Sequence, residues 1–304
     1  MTSTLRASFV LTLLLLVASG ASAAEEDSTF VGWRKSLTAD ITVTQTGYSD
    51  SWTGDEVSSF NWVSNLNGTA EKQLAPWFDF KSTLKISFGQ TITQDTTSDG
   101  GREWGDWRKS TDLIDWENVG LFTLHQFVDP YVAFRLETRF YDGSNADKKL
   151  WFSPLRLTES AGIARKFYTK EDDFVLSRLG LAVRETFISS IADPVTLKTT
   201  DTTLTDGGLE SVTDVSLTLH QNILYTAKLT LYRAFFFSRS DEVKGTEYED
   251  FWKAVDVAWE NILAAQVTKF VTVNLYTQIL YDKEISRKGR FKETVAIGLA
   301  FKLI

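Results

Sequence analysis

Twelve stretches with a period-two pattern, separated by gaps that are mostly long, then short, in turn, constrain this chain more than any motif in it. In "WFDFKSTLKISFGQTI", Phe78, Phe80, Leu84, Ile86, Phe88 and Ile92 alternate with Asp79, Lys81, Thr83, Lys85 and Ser87. In "YVAFRLETRF", Val132, Phe134, Leu136 and Phe140 alternate with Arg135, Glu137 and Arg139. The same pattern runs through "LTADITV", "TDVSLTLH" and "FVTVNLYTQILY". Alternation of this kind marks strands with one apolar and one polar face. Strands of soluble sheets average about 5–6 residues. A tilted strand needs about 9–11 to cross a bilayer, and these stretches reach that length.

The segments span 33–46, 57–70, 77–93, 111–125, 130–142, 151–167, 173–189, 209–220, 224–237, 251–263, 268–282 and 291–304. Gaps 47–56, 94–110, 143–150, 190–208, 238–250 and 283–290 are mostly long and polar, and those between them are mostly short. Long loops on one side and tight turns on the other are the signature of outer-membrane barrels. The expected fold is all-β: a transmembrane antiparallel β-barrel of about twelve strands, with ten or fourteen also compatible. An even count places both ends of the barrel at the periplasmic side. Glu159 and Arg233 break the alternation, which a bulge or a different strand limit would restore.

The chain opens with Arg6, the apolar run "LTLLLLVA" and the small-residue site Ala21-Ser22-Ala23. That order reads as a secretory signal over residues 1–23, leaving 24–304 as the barrel domain. The apolar run falls short of the roughly 20 residues of a spanning helix. No cysteine occurs anywhere. This excludes disulfides, thiolate metal sites and a lipid-modified Cys after the cleavage site, and it fits a bacterial envelope protein better than a eukaryotic secreted one. A net charge of −8 argues against nucleic acid as a partner.

The aromatic content, 10 Trp, 9 Tyr and 21 Phe, is high. Trp33, Trp52, Trp77, Trp107, Tyr131, Tyr141, Trp151, Tyr168, Trp252 and Tyr281 fall near expected strand ends, where amphipathic rings seek the membrane–water interface. The final stretch, "VAIGLAFKLI", is apolar and unbroken by a turn. As a free edge it would invite aggregation. Pairing with the first strand would close the barrel and turn its apolar face to outer-membrane lipid. The spacing Gly298, Phe301, Leu303 resembles the C-terminal signal read by the barrel insertion machinery, although an aromatic residue is common where this chain has Ile304.

Four stretches, "GYSDSWTGDEVSSFNW" (47–62), "LKISFGQT" (84–91), "KSTDLIDWEN" (109–118) and "VDPYVAFRLETRFYDG" (128–143), resemble a family of uncharacterised bacterial outer-membrane barrel proteins known only as a domain of unknown function. The resemblance covers the first half of the barrel domain. The chain departs from it at Trp52-Thr53-Gly54-Asp55, where Trp-x-Gly-Gly is common. It implies a barrel and an outer-membrane location, and it carries no activity or catalytic residues.

The chemistry is sparse. His125 and His220, the two histidines, each sit in Leu-His-Gln entering a short turn. A His base needs a nucleophile within reach and a group to orient it, and no such set is visible. An outer-membrane lipid hydrolase is therefore the weakest reading, and no cofactor is expected. Asp95, Asp99, Asp201 and Asp206, in the Thr- and Asp-rich stretches 93–101 and 198–208, lack the ligand spacing of a calcium loop and read as solvated loop residues.

The polar strand faces carry Lys81, Lys85, Asp115, Glu117, Arg135, Glu137, Arg139, Arg178, Arg184, Asp214, Asp256 and Glu260 as candidate lumen-lining charges. Arg135, Glu137 and Arg139 read as an interior ion-pair ladder. Two functions follow: a narrow porin-like channel for small polar solutes, or a non-conducting barrel that binds a partner or stabilises the envelope. A barrel of this size lies between the filled eight-stranded case and the open porins.

Overall fold

The computed structural model describes residues 32–48, 57–97, 101–124, 126–145, 147–170 and 172–303. The expected signal segment, Trp52, Asp99, His125 and Ile304 lie outside these residues. Twelve strands form the wall: β1 (Arg34–Thr46), β2 (Ser59–Ala75), β3 (Phe78–Thr96), β4 (Arg108–Phe122), β5 (Asp129–Thr138), β6 (Leu155–Lys170), β7 (Asp173–Asp193), β8 (Lys198–His220), β9 (Ile223–Phe237), β10 (Val255–Gln266), β11 (Val271–Tyr281) and β12 (Arg290–Lys302). Each is antiparallel to the next, and β1 pairs with β12 from Thr38 opposite Lys302 to Thr42 opposite Gly298. The barrel is closed and twelve-stranded.

The ladders set which side chains share a face. Lys85 pairs with Asp115, Glu117 with Arg135, and Asp214 with Lys228, all on the polar face. Their neighbours along each strand point the other way. That outward set includes Ile41, Val43, Trp116, Ile163, Leu179, Leu181, Leu209, Trp259, Ile279, Val295, Ile297 and Leu299, each more than a third exposed. An apolar belt this continuous is untenable in water. A barrel pairs most of its backbone strand to strand and can place such a belt in a bilayer.

Aromatic rings cluster at both rims. At the short-turn end, Trp77 stacks on Phe122 at 5.9 Å, Trp33 meets Phe80 at 6.5 Å, and Phe270 meets Phe301 at 6.0 Å. At the long-loop end, Phe60 meets Trp107, Phe88 meets Phe140, and Tyr141 meets Trp151. Two such girdles bound the belt, as membrane barrels require. The barrel is an outer-membrane protein. Tyr131, expected at a rim, is instead an interior residue, 2% exposed and packed with Leu121 and Ala164.

Three expectations need correction. The segment 190–208 is not a loop: β7 and β8 continue upward as a hairpin, turned by residues 194–197. Its Thr-rich sequence has good strand propensity, and both faces are polar, which hides the alternation. Asp201 is thereby a strand residue paired opposite Ser189, and Asp206 opposite Arg184. Second, β5 ends at Thr138, so Arg139 lies beyond it. Third, Glu159 and Arg233 are not shifted inward. Glu159 stays in register between Phe134 and Val183, and Arg233 between Leu209 and Val255. The bulge in this region falls above Arg233, where Gly207 and Gly208 oppose Phe236 and Ala234.

Candidate functional site

The polar faces of the strands converge on a ladder of charges inside the wall, arranged in layers along the barrel. Next to the short turns lies an apolar layer of Leu121, Tyr131 and Ala164, with Ala133 and Leu176 against it. Lys81 reaches across from β3 to within 4.6 Å of the Phe174 ring on β7.

Above this is a dense ionic layer. Arg178, 2% exposed, holds Glu117 at 2.8 Å and Asp214 at 3.1 Å. Lys228 reaches the other Glu117 oxygen at 2.6 Å. Arg135 grips Asp115 through Nε and a terminal nitrogen at 2.8 and 2.9 Å and meets Glu137 at 3.1 Å. Glu117 belongs to β4, whereas Arg178 and Lys228 belong to β7 and β9, so these bonds cannot run along the wall. They cross the interior. Lys85 on β3 likewise reaches Glu260 on β10 at 3.4 Å, and Gln278 donates to Glu260 from β11 at 3.1 Å.

A second ionic layer lies nearer the long loops. Arg184 binds Asp206 at 2.8 Å and Asp256 at 3.0 Å. Its guanidinium lies over the Tyr232 ring at 3.5 Å, and the Tyr232 hydroxyl donates to Asp206 at 2.5 Å. Charges taken out of water are tolerable only when paired, and each of these has an ion-pair partner, while the buried Nε of Arg178 is left without a hydrogen bond.

Of the charges singled out in the sequence, the structure brings Lys85, Asp115, Glu117, Arg135, Glu137, Arg178, Arg184, Asp214, Asp256 and Glu260 into these pairs, and Lys81 onto Phe174. Arg139 has no ion-pair partner among the described residues, so the expected three-member ladder is Arg135 and Glu137 with Asp115 in the third place. Lys228, Asp206 and Tyr232 were missed. The phase of Ala227, Leu229 and Leu231 against Lys228 and Tyr232 could have found two of them, had Arg233 not obscured it. Asp206 was hidden by reading its strand as a loop.

Gly298 packs under Thr42 at the closure, Phe301 joins the aromatic rim, and the Leu303 amide donates to the Leu37 carbonyl at 2.7 Å. His220 ends β8, exposed beside the turn. Among the described residues no group of three or more His, Cys, Asp or Glu could hold a metal ion. Above the second ionic layer, Phe237, Val243, Tyr248, Phe251, Trp252 and Glu284 line a cavity under the long loops, with Trp252 packed against the interior residues Ala182, Tyr232 and Ala234.

Residues 43–143 match the family described as "Protein of unknown function (DUF3078)", which covers the same part of the chain as the resemblance read from its sequence. No curated protein matches. Among solved structures, the translocator domain of the autotransporter NalP from Neisseria meningitidis is 11% identical, covering 99% of this chain and 98% of that one, with a TM-score of 0.37. An outer membrane channel from Pseudomonas putida F1 is 10% identical over 93% and 98%, with a TM-score of 0.39. The beta domain of the Bordetella autotransporter BrkA is 12% identical over 88% and 98%, with a TM-score of 0.33.

Proposed function

We propose that this outer-membrane barrel is a non-conducting structural or partner-binding protein whose interior is braced shut. The observation that carries this reading is the set of ion pairs spanning the lumen, Glu117 with Arg178 and Lys228 above all. A water-filled channel separates its wall charges by solvent. Here opposite walls touch through side chains, and an apolar layer lies beneath them. Each cross-lumen pair also ties together strands remote in sequence. That stiffens the wall against ovalisation, a suitable property for a barrel that displays loops to a partner.

Single-channel recording in a planar bilayer tests the reading. The purified barrel should show no steady conductance, whereas the double variant Glu117→Ala, Lys85→Ala should show discrete openings or a noisy leak. Stable, uniform conductance steps in the unaltered protein would instead favour a narrow channel for small polar solutes, lined by the same charges.

A further inference from the structure

The wall is closed by a partial seam. β12 pairs with β11 from Arg290 to Leu299, and β1 pairs with β2 along its whole length. Between β1 and β12 the ladder covers only Thr38–Thr42 and Gly298–Lys302. Among the described residues, the β1-facing edge of β12 from Arg290 to Ile297 therefore has no ladder partner, and neither do Val43–Thr46 on the facing edge. Exposure changes at the same point. Thr42 and Gly298 are buried, whereas Thr44 and Thr46, on the same inward phase as Thr42, are exposed. The long-loop half of the seam is a slit between the lumen mouth and the membrane.

The slit has two chemistries. On its inward phase stand Arg290 and Lys292, with no carboxylate in ion-pair range among the described residues. Lys292 lies 5.8 Å from the Tyr276 ring, and Gln278 stands between it and the next acid along that row, Glu260. On the outward phase, Val43 is 48% exposed, Phe291 65%, Val295 63% and Ile297 63%. Glu293 also faces outward, away from the two cations. Unpaired backbone amides at membrane depth need acceptors, which hydrocarbon cannot supply. An anionic oxygen can accept from those amides and from both cations, while an attached chain covers the apolar flanks.

We propose that this half-open seam binds a single-chain anionic amphiphile drawn from the surrounding membrane, its head at Arg290 and Lys292 and its chain lying outward over Val43, Val295 and Ile297. The proposal goes beyond the braced-barrel reading and does not depend on it, since a conducting barrel could carry the same slit.

The test combines cysteine pairs with photo-labelling of the purified barrel in neutral detergent. Following the register, Asp40→Cys with Ala300→Cys should form a disulfide readily in the paired half. Thr44→Cys with Ala296→Cys should form one slowly. A diazirine-bearing palmitate should label residues 43–46 and 290–297. Labelling should fall at least tenfold for the matching fatty alcohol, for two-chain phosphatidate, for Arg290→Gln with Lys292→Gln, and after the upper cysteine pair is forced shut. Either single Gln variant carries the same expectation, at smaller size, should the double variant not assemble. The proposal is overturned if the upper pair closes as fast as the lower one, if the alcohol or phosphatidate labels equally, if labelling survives the locked seam, or if the seam cysteines cross-link to another polypeptide strand. Conductance, which tests the braced interior, is a separate readout.

Discussion

Gly162 on β6 and Gly180 on β7 face each other directly, and Tyr131 on β5 pairs with Gly162 from the other side. A Cβ at Gly162 would collide with the Leu179 carbonyl oxygen and the Gly180 Cα, and one at Gly180 would stand 2.7 Å from the Tyr131 hydroxyl. Both glycines thus let the β6 and β7 backbones approach more closely than a side chain would allow, and the bare Gly180 also leaves room for the hydroxyl end of the Tyr131 ring inside the barrel. That ring, with Leu121 and Ala164, forms the layer below the ions.

Gly180→Ala and Gly162→Ala should therefore each lower stability by about 1–3 kcal/mol, the usual cost of overpacking. Gly68→Ala is the control, because the tightest contact of its added methyl would be the end of the Leu37 side chain, at 3.3 Å, which can give way. The midpoint of heat-induced band shift on cold gels reads the difference. Equal midpoints for all three variants would refute the packing role of the glycine pair.

Leu136 and Arg135 point to opposite sides of the wall. Leu136 lies on the outward face between Trp116 and Leu157. Leu136→Arg should abolish assembly, since Arg at the bilayer midplane costs roughly 2–4 kcal/mol. Arg135→Gln should still assemble, with a lowered unfolding midpoint because Asp115 and Glu137 lose their shared partner. Arg139→Gln should resemble the parent. Fractionation and heat-modifiable migration decide all three.

Arg178 and Lys228 share Glu117, so their contributions should not add. Glu117→Gln leaves Lys228 without its carboxylate and Arg178 with Asp214 alone, and should cost about 3–5 kcal/mol, as does breaking a buried pair by removing one member. Lys228→Met in that background should recover part of the loss, giving a coupling of about 0.5–3 kcal/mol in a double-mutant cycle. Additive effects in chemical denaturation would place Lys228 outside the network.

Burial, followed by the neighbouring Asp282 and Asp256 carboxylates, pushes the Glu284 carboxyl up to about 7. A carboxyl raised on folding stabilises while protonated. Its contribution is fully present below the unfolded value near 4.5 and is lost as pH rises through 7. The loops around Phe251, Trp252 and Glu284 should be better protected from proteases at pH 5 than at pH 8, and Glu284→Gln should remove that dependence. Glu284 keeps solvent contact, so global unfolding should change little.

Strand number, wall faces and loop sides were legible in the sequence, because a membrane barrel imposes them residue by residue. Each position along a strand must suit either lipid or the interior, and period two records that choice. Lys85, Asp115, Glu117, Arg135 and Arg178 were found on this ground alone. The pattern fails where both faces meet water, and there Lys198–Gly208 passed for a loop. It fails also for outward Glu159 and Arg233, whose polarity contradicts their face.

Only the tertiary structure decided which charges meet. Glu117 finds Lys228 across the lumen, and Lys85 finds Glu260, because barrel closure and strand register bring residues far apart in the chain to the same height. Alternation specifies the face a side chain occupies but not its height or its opposite number. The short seam at Thr38–Thr42 is of the same kind. β1 and β12 both alternate along their length, which fixes their faces, but their ladder spans only Thr38–Thr42 and Gly298–Lys302, because pairing depends on where closure sets the two strands side by side.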